Sequence, residues 1–261
     1  MRSAFYAFVF LVFSSGTSLA DYSQSKAWFH GKDWDQRVRI QHLLVFTGDY
    51  DTIVDGAFGP NTYDALISFQ KHRDYPQDGV LGDDQMQILL RDGLDLANRV
   101  GFEVRDDRAA GLSLGIPVKL FEPPAQTRRG NLWRAYDGSI ELETLAIPRT
   151  ETDYEELFER LSGPRSGRSL DRKELRNDFF VVSGEQDGRP FYVRIMKTAG
   201  DSRGFSLSWE PKHTVFMNRI AVAMSNSMKF HDRGKGPEAV AAPPDLRNAQ
   251  PQVEARTHSE Q

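Results

Sequence analysis

A short motif occurs twice in this chain and constrains its fold more than any other sequence feature. Residues 55–62 read DGAFGPNT and residues 78–85 read DGVLGDDQ, so both copies follow the pattern Asp-Gly-x-apolar-Gly-x-x-polar. An Asp-Gly pair favours a tight turn because glycine tolerates a positive φ angle. Apolar residues at helical spacing follow each copy. The sequence therefore predicts two turns of the same kind, each leading into a helix.

A third helix is predicted ahead of the first turn, from about Asp35 to Phe46. Ile40 and Leu44 lie on its apolar side, and Gly48 stands where a helix-ending glycine is expected. Gln41 falls among the apolar positions. We interpret Gln41 as a buried amide that bonds the backbone of a loop.

These residues resemble the peptidoglycan-binding domain family over about residues 35–90. The resemblance is carried by Ile40-Gln41 and Leu44, by Gly48-Asp49-Tyr50, by Val54-Asp55-Gly56, Phe58-Gly59-Pro60 and Thr62, by Ala65 and Phe69-Gln70, and by Asp78-Gly79 and Gly82. It implies a small three-helix module with two Asp-Gly turns. It also implies a ligand made of a glycan strand with its stem peptide.

Such a ligand offers amides, hydroxyls and carboxylates, which aromatic faces and polar side chains in a shallow groove can bind. The resemblance therefore directs attention to the polar and aromatic groups around the first turn. The candidate ligand contacts are Tyr50, Asp51, Asp55, Asn61 and Tyr63. Each of them is equally compatible with a solvated position in a loop.

The first twenty residues have the features of a secretory signal peptide. Arg2 precedes ten consecutive apolar residues, Ala4–Phe13, and Ser18-Leu19-Ala20 places small residues before a cleavage site. Ten apolar residues are half of the roughly 20 needed to cross a bilayer, so a membrane anchor is the less favoured interpretation. We expect an exported protein, periplasmic or secreted, that associates with the cell wall and has no membrane span after cleavage.

The region after about residue 101 alternates strand and helix patterns. Two strands flank the turn Asp137-Gly138, a helical pattern covers DYEELFERL, and a second hairpin surrounds residues 185–189. An earlier strand, Leu112–Ile116, stops at Pro117 as an edge strand can. Hairpin connections imply an antiparallel sheet with packed helices, which is an α+β domain.

The same order of elements resembles the PsbP-like fold, on pattern rather than on a sharp motif. This region of the chain begins with Gly-Ile-Pro and continues with paired strands around an Asp-Gly turn, a helix and a meander. It closes with a helix followed by Ser-Met-Lys-Phe. Members of that fold are mostly non-catalytic. The resemblance therefore argues against an enzyme, by analogy alone.

The predicted organisation is multi-domain, with an all-α module followed by an α+β domain. After residue 231, Gly and Pro stand among Ala, Gln, Glu and Arg, which cannot bury enough apolar surface to offset the cost of ordering. The predicted segments are a signal peptide (1–20), a three-helix peptidoglycan-binding domain (21–92), a linker (93–101), the α+β domain (102–231) and a disordered tail (232–261).

Composition excludes several classes of protein. There is no cysteine, which removes disulfide scaffolds, cysteine-ligated zinc and every cysteine nucleophile. Lysine and arginine total 33 against 37 acidic residues, so the formal net charge is −4 and gives no electrostatic case for nucleic-acid binding. The six histidines form neither HxH nor HExxH. We therefore expect no metal site and no cofactor.

Residues 111–115 match a catalytic motif. Gly111–Gly115 reads GLSLG, the G-x-S-x-G of serine hydrolases, and Asp187 or Asp201 followed by His213 would supply the other residues in the required order. Ser113, however, lies in an alternating strand pattern with no helix after it. A carboxylate-dependent glycosidase has no characteristic spacing of its acidic residues along the sequence, so this alternative stays open.

The sequence therefore favours an exported, non-catalytic protein that binds peptidoglycan and tethers a second, α+β binding domain to the cell wall. The partner of that second domain is expected to be an envelope protein. The alternative is a cell-wall-modifying hydrolase with its active site in the α+β domain.

Overall fold

The computed structural model describes residues 19–231. Within that range six α-helices are present: α1 Leu19–His30, α2 Trp34–Thr47, α3 Pro60–Lys71, α4 Asp83–Val100, α5 Tyr154–Ser162 and α6 Thr214–Ser227. Apart from its last two residues, which begin α1, the predicted signal peptide lies outside the described residues. The predicted tail over 232–261 also lies outside them.

Ten strands occur in the same described range. They are β1 Phe102–Asp107, β2 Leu112–Pro117, β3 Ala125–Gln126, β4 Asn131–Arg134, β5 Ile140–Pro148, β6 Arg168–Leu175, β7 Phe179–Gln186, β8 Arg189–Lys197, β9 Asp201–Trp209 and β10 Lys229–Phe230. The predicted fold class is confirmed: a helical region is followed by a sheet-rich region with packed helices.

Local sequence explains where α2 begins and ends. The Asp33 carboxylate accepts the Gln36 N–H at 2.8 Å, and the Gln36 side chain accepts the Asp33 N–H at 3.1 Å, which forms a capping box. Gly48 ends the helix with a φ of 86°. The three predicted helices are α2, α3 and α4. The helix α1 is an addition to them, since Phe29 is fully buried against the module.

The linker predicted over residues 93–101 needs correction, because α4 continues without a break to Val100. Leu89, Leu96 and Val100 are buried along one side of this helix. Gly93, inside the predicted linker, lets α2 approach closely, since a Cβ there would lie 2.7 Å from Leu43 Cδ2. Close helix packing, rather than chain flexibility, explains the glycine.

The strands form two antiparallel sheets. The larger has the order β3-β4-β5-β9-β8-β7-β6, and the smaller has the order β1-β2-β10. The hairpins predicted around Asp137-Gly138 and residues 185–189 are confirmed as β4–β5 and β7–β8. The edge position predicted for residues 112–116 is wrong, because β10 pairs with the second side of β2. The β10 strand forms at the Lys-Phe of the closing Ser-Met-Lys-Phe segment.

The larger sheet is covered on both faces, as the alternation of side chains along a strand allows. On β7, Phe180 and Val182 pack with α5, whereas Phe179 and Val181 belong to the cluster that contains α6. The helix α6 therefore lies between this sheet and the helical module.

One hydrophobic core joins the two regions. It includes Leu43 from α2, Met224 from α6 and Phe205 from β9. The rings of Phe46 and Phe102 meet edge to face across the boundary, with centroids 5.2 Å apart. Burying one such side chain contributes about 1.5–3 kcal/mol. The module and the α+β domain are therefore packed together rather than separated by a free connector.

Candidate functional site

A single amide side chain holds the first Asp-Gly turn. Gln41 Oε1 accepts the backbone N–H groups of Gly56 at 2.8 Å and Asp55 at 3.1 Å. Gln41 Nε2 donates to the carbonyl of Ala57 at 2.9 Å and to Thr62 Oγ1 at 3.1 Å. Gln41 is fully buried, so these bonds satisfy groups that would be costly to leave unpaired. The prediction of a buried amide that bonds loop backbone is confirmed.

The second turn is held in the same way by Gln70. Its Oε1 accepts the Gly79 N–H at 2.8 Å, and its Nε2 donates to the Val80 carbonyl at 3.1 Å. Nε2 also donates to Asp78 Oδ1 at 2.8 Å and to Gln85 Oε1 at 3.2 Å. The sequence repeat is thus a structural repeat, in which a buried glutamine on one helix organises the turn that leads into the next.

Both turns use the backbone freedom of glycine. The φ angle is 69° at Gly56 and 71° at Gly79, in the left-handed region that side chains disfavour. At Gly56 the space is also limited, because a Cβ would lie 3.0 Å from the indole Nε1 of Trp34. A turn of this kind accepts no larger residue without strain.

Sequence comparison agrees with this arrangement of helices, turns and glutamines. Residues 35–89 match the peptidoglycan binding domain family. The match covers both Asp-Gly turns and both glutamines, and it confirms the predicted family for this segment. No curated protein matches the chain. The PsbP-like resemblance of the α+β region stays a prediction.

Two of the predicted ligand contacts are exposed at the first turn of the peptidoglycan-binding domain. Asp55 lies in the turn, and its Oδ1 accepts the Ala57 N–H at 2.8 Å, which orients the carboxylate. Asn61 lies in the first turn of α3 with its side chain in solvent. Both offer polar groups that a ligand can reach.

Tyr63 lies beside the second turn and is only partly exposed. Its ring packs edge-on against Tyr22, with centroids 5.0 Å apart, and its Cε2 lies next to Gly79. Desolvation and the nearby carboxylates, Asp21 first among them, raise the pKa of the Tyr63 phenol. The hydroxyl group therefore stays protonated at neutral pH and can donate a hydrogen bond.

The expectation that Tyr50 is exposed is wrong. Tyr50 is 6% exposed, and its hydroxyl donates to the Ile53 carbonyl at 2.6 Å. Burial raises the pKa of Tyr50 to about 12. Its ring belongs to the hydrophobic core, so it has no free face for a ligand. Asp51, the next residue, is exposed.

The structure adds Trp34 to the candidate ligand contacts. The sequence pattern places this residue among the apolar residues of α2. Trp34 is the first residue of that helix and is 57% exposed, with its indole against Gly56. An exposed indole combines an apolar face with a polar N–H, which suits a ligand that has both kinds of surface. Its place directly after the capping residue Asp33 was the one signal that it could lie outside the core.

The loop between α2 and the first turn is bound to the α+β domain. The Val54 N–H donates to Asn226 Oδ1 at 2.8 Å, and Asn226 Nδ2 donates to the Thr52 carbonyl at 3.0 Å. The guanidinium of Arg219 lies over Gly48 at the start of this loop. Two residues of α6 thus fix the segment that contains Tyr50 and Asp51.

A serine, a histidine and an aspartate lie together within the module, but their hydrogen bonds are not those of a catalytic triad. Asp49 accepts hydrogen bonds from Thr47 Oγ1 at 2.7 Å, from Ser68 Oγ at 2.8 Å and from His72 Nδ1 at 2.8 Å. The serine hydroxyl thus donates to the carboxylate and not to the imidazole. The group ties the end of α2 to α3.

The G-x-S-x-G match does not form a nucleophile elbow. Ser113 lies within β2, is 5% exposed, and donates through Oγ to Asp106 Oδ1 at 2.5 Å. No helix follows it directly, whereas the elbow requires a sharp strand-to-helix turn. His213 belongs to a short 3-10 helix before α6, and its buried Nε2 has no hydrogen-bond partner among the described residues. The structure does not bring these residues together as a triad.

Two further features of the described chain bear on the type of site. Within residues 19–231, no three histidine or acidic side chains are grouped so that they could hold a metal ion. Over the same range, no helix combines the length and apolar character needed to span a bilayer.

Proposed function

We propose that this protein is an exported, non-catalytic component of the cell envelope that binds peptidoglycan through the first Asp-Gly turn. The contact region is the turn surface, defined as Trp34, Asp55 and Asn61. We add Asp51, exposed in the preceding loop, and Tyr63, partly exposed beside the second turn, to this region. The observation that carries the proposal is the match of residues 35–89 to the peptidoglycan binding domain family. These groups are also exposed at the turn that Gln41 holds.

The chemistry of the turn surface suits a glycan strand with a stem peptide. The Trp34 indole offers an apolar face to a sugar ring, while Asp55 accepts hydrogen bonds and Asn61 both donates and accepts them. Because Gln41 holds the turn rigidly, little conformational entropy is lost when a ligand binds.

Export and the absence of catalysis are supported by separate observations. The first twenty residues have the charged, apolar and small-residue segments of a signal peptide. In the α+β domain, the serine that matches a hydrolase motif, Ser113, lies in a strand and donates to Asp106 rather than to a histidine. We propose that this domain is held at the wall as a second binding module, with an envelope protein as its partner.

A binding assay with purified sacculi tests the proposal. The full chain is expected to pellet with sacculi, and Trp34→Ala is expected to pellet much less. Tyr136→Ala serves as the matched control, since Tyr136 is 70% exposed at the β4–β5 turn, outside the peptidoglycan-binding domain. Equal pelleting by Trp34→Ala and wild type would remove Trp34 from the site. No pelleting of the wild type would overturn the proposed function.

The supernatants of the same assay test the hydrolase alternative. A non-catalytic protein leaves the sacculi intact, so no soluble muropeptides are expected after prolonged incubation. Release of fragments by the wild-type protein would instead place a wall-modifying activity in this chain.

A further inference from the structure

The strand β1 leaves one side of its backbone without a neighbouring strand. Within residues 19–231, β1 pairs only with β2, in a regular antiparallel register over its whole length. Val104, near the middle of the strand, is 43% exposed, and Arg105 and Asp106 are exposed beside it. We call the outer side of this strand, over residues 102–107, the β1 edge.

The other sheet edges in the described part of the chain are shorter or interrupted. The strands β3 and β10 have two residues each. The strand β6 is longer, but its register with β7 shifts between Leu170 and Arg172, and Lys173 follows the shift. A bulge and a lysine both protect an edge against pairing with another strand. Because β1 has neither, its edge is the one best suited to accept a further strand.

The hydrogen bonds at the two ends of β1 show which backbone groups point outward. Antiparallel pairs alternate between residues that bond the partner strand and residues whose N–H and C=O groups point away from it. The Gly101 carbonyl accepts the Val118 N–H at 3.1 Å, and the Asp107 carbonyl accepts the Gly111 N–H at 2.7 Å. Both acceptors point to the β2 side. The odd-numbered residues of β1 therefore face β2, and the even-numbered residues face outward.

Contacts on β2 agree with this assignment. Phe102 lies opposite Pro117, which has no N–H to donate. Val104 lies opposite Gly115, whose N–H points to the other side of β2 and donates to Ser227 Oγ at 2.7 Å. The even-numbered residues of β1 thus direct their backbone groups to the β1 edge, where no strand of the described chain pairs with them.

The side chains on either side of Val104 carry opposite charges. Glu103 and Arg105 are paired on the same strand at 2.6 Å, and both side chains are about half exposed. An antiparallel copy of the strand, with Val104 opposite Val104, places each Glu103 opposite an Arg105. Those positions are of the non-hydrogen-bonded kind, in which opposing side chains lie closest. The strand is therefore complementary in charge to a second copy of itself.

We propose that the β1 edge joins two copies of this chain in a symmetric dimer. The two-fold axis passes beside Val104, whose N–H and C=O groups exchange two hydrogen bonds with Val104 of the second copy. Phe102 and Asp106 exchange hydrogen bonds with each other across the axis in the same way. A two-fold axis brings the same surface of both copies together, so it requires a surface that is complementary to itself.

Other symmetric registers fit the strand less well. A two-fold axis at Glu103 or at Arg105 would place like charges directly opposite each other, which is destabilising. It would also need the backbone groups that already bond β2. The register centred on Val104 satisfies both the outward backbone groups and the charged side chains.

Sedimentation equilibrium of the full chain over a range of concentrations tests the dimer. The wild type is expected to pass from monomer to dimer as the concentration rises, because a contact through one strand is small and therefore weak. Arg105→Glu is expected to weaken the dimer about tenfold, since like charges then oppose each other at two positions. The double variant Glu103→Arg/Arg105→Glu exchanges the two charges and is expected to dimerise as the wild type does.

Arg134→Glu is the matched control for the change of charge. Arg134 is about half exposed and pairs with Glu141 at 3.0 Å, but it lies on β4. This variant is expected to dimerise as the wild type does. Three results would each overturn the dimer: a wild type that stays monomeric at millimolar concentration, equal losses in Arg105→Glu and Arg134→Glu, or a double variant as weak as Arg105→Glu.

A single cysteine checks the register. The chain has no cysteine, so Val104→Cys can form a disulfide only between two copies. Opposing Cα atoms in a hydrogen-bonded antiparallel pair are about 5.5 Å apart, which a disulfide can span. Mild oxidation is expected to cross-link Val104→Cys faster than Tyr136→Cys, although Tyr136 is the more exposed residue. Equal rates would contradict a two-fold axis at Val104.

Hydrogen exchange separates a dimer from another cover on the β1 edge. The Val104 amide is expected to exchange more slowly as the protein concentration rises. Slow exchange in a chain that stays monomeric would mean that another segment covers β1, and it would overturn the dimer. Sacculus binding is measured separately, since β1 lies outside residues 35–89. A failure to pellet would overturn the proposed function and leave the dimer standing.

Discussion

Val54 and Asn226 stand 172 positions apart in the chain and are joined by a 2.8 Å hydrogen bond from the Val54 N–H to Asn226 Oδ1. The first belongs to the peptidoglycan-binding domain, and the second lies near the end of α6. A loop that is expected to meet the ligand is therefore shaped by the opposite end of the fold.

Asn226→Ala is expected to destabilise the full chain. The Val54 N–H and the Thr52 carbonyl both lose a partner, which costs about 1–3 kcal/mol of unfolding free energy. Asn218→Ala, at an exposed position of the same helix, is expected to change stability by no more than about 0.5 kcal/mol. Urea denaturation of both variants measures the difference. Similar losses of stability in the two variants would show that the Asn226 hydrogen bonds do not stabilise the fold.

Gly56→Val is expected to lower the melting temperature far more than Asp51→Ala does. A β-branched side chain at a φ of 69° costs about 1–3 kcal/mol, and its Cβ would crowd the Trp34 indole. Gly200→Val is the control, because its Cβ position is open. A thermal melt decides this prediction, and a lower midpoint for Asp51→Ala would mean that the turn is not held as described.

Folding stability is expected to fall between about pH 6.5 and pH 4 through His42. Burial lowers the pKa of His42 to about 4, from an ordinary value of 6.5. Below pH 6.5 the unfolded chain binds a proton at His42 that the folded chain does not, so stability decreases until the folded pKa is passed. The full effect is about 3 kcal/mol.

Chemical denaturation at a series of pH values checks the role of His42. His42→Leu is expected to remove this part of the pH dependence. His30→Leu, at an exposed position of α1, is expected to keep it. If His42→Leu follows the wild-type curve, other groups account for the loss of stability in acid.

Ser113→Ala is expected to leave sacculus binding unchanged. The loss of its hydrogen bond to Asp106, which is solvent-exposed, costs about 1 kcal/mol or less. The wild type is also expected to resist labelling by a fluorophosphonate, since the Ser113 hydroxyl donates to a carboxylate and has no histidine hydrogen-bonded to it as an activating base. Labelling that disappears in Ser113→Ala would instead identify a serine enzyme.

The sequence predicts correctly those parts of the fold that are determined by residues close together in the chain. The two Asp-Gly turns, the Gln41 amide and the β7–β8 hairpin each depend on residues close together in the chain. The linker predicted over residues 93–101 was wrong because this segment continues α4, and its packing against Leu43 of α2 depends on a residue far away in the chain. The PsbP-like resemblance and the other domain boundaries stay predictions.

The candidate site is harder to predict, because exposure depends on distant packing. Tyr50 is buried in a loop that α6 holds in place, and no local pattern near residue 50 indicates the contact with Asn226. Trp34 has the spacing of a core residue but is the first residue of its helix and stays 57% exposed.

The unbroken course of α4 has a mechanical consequence. Its 18 residues form a rigid rod about 27 Å long that starts just after the second turn and ends at the strand β1. If the first turn is anchored to the wall, the sheet cannot swivel about a hinge, since the rod and α6 both fix its angle. An anchored molecule would then hold its sheet at one fixed orientation relative to the module that binds the wall.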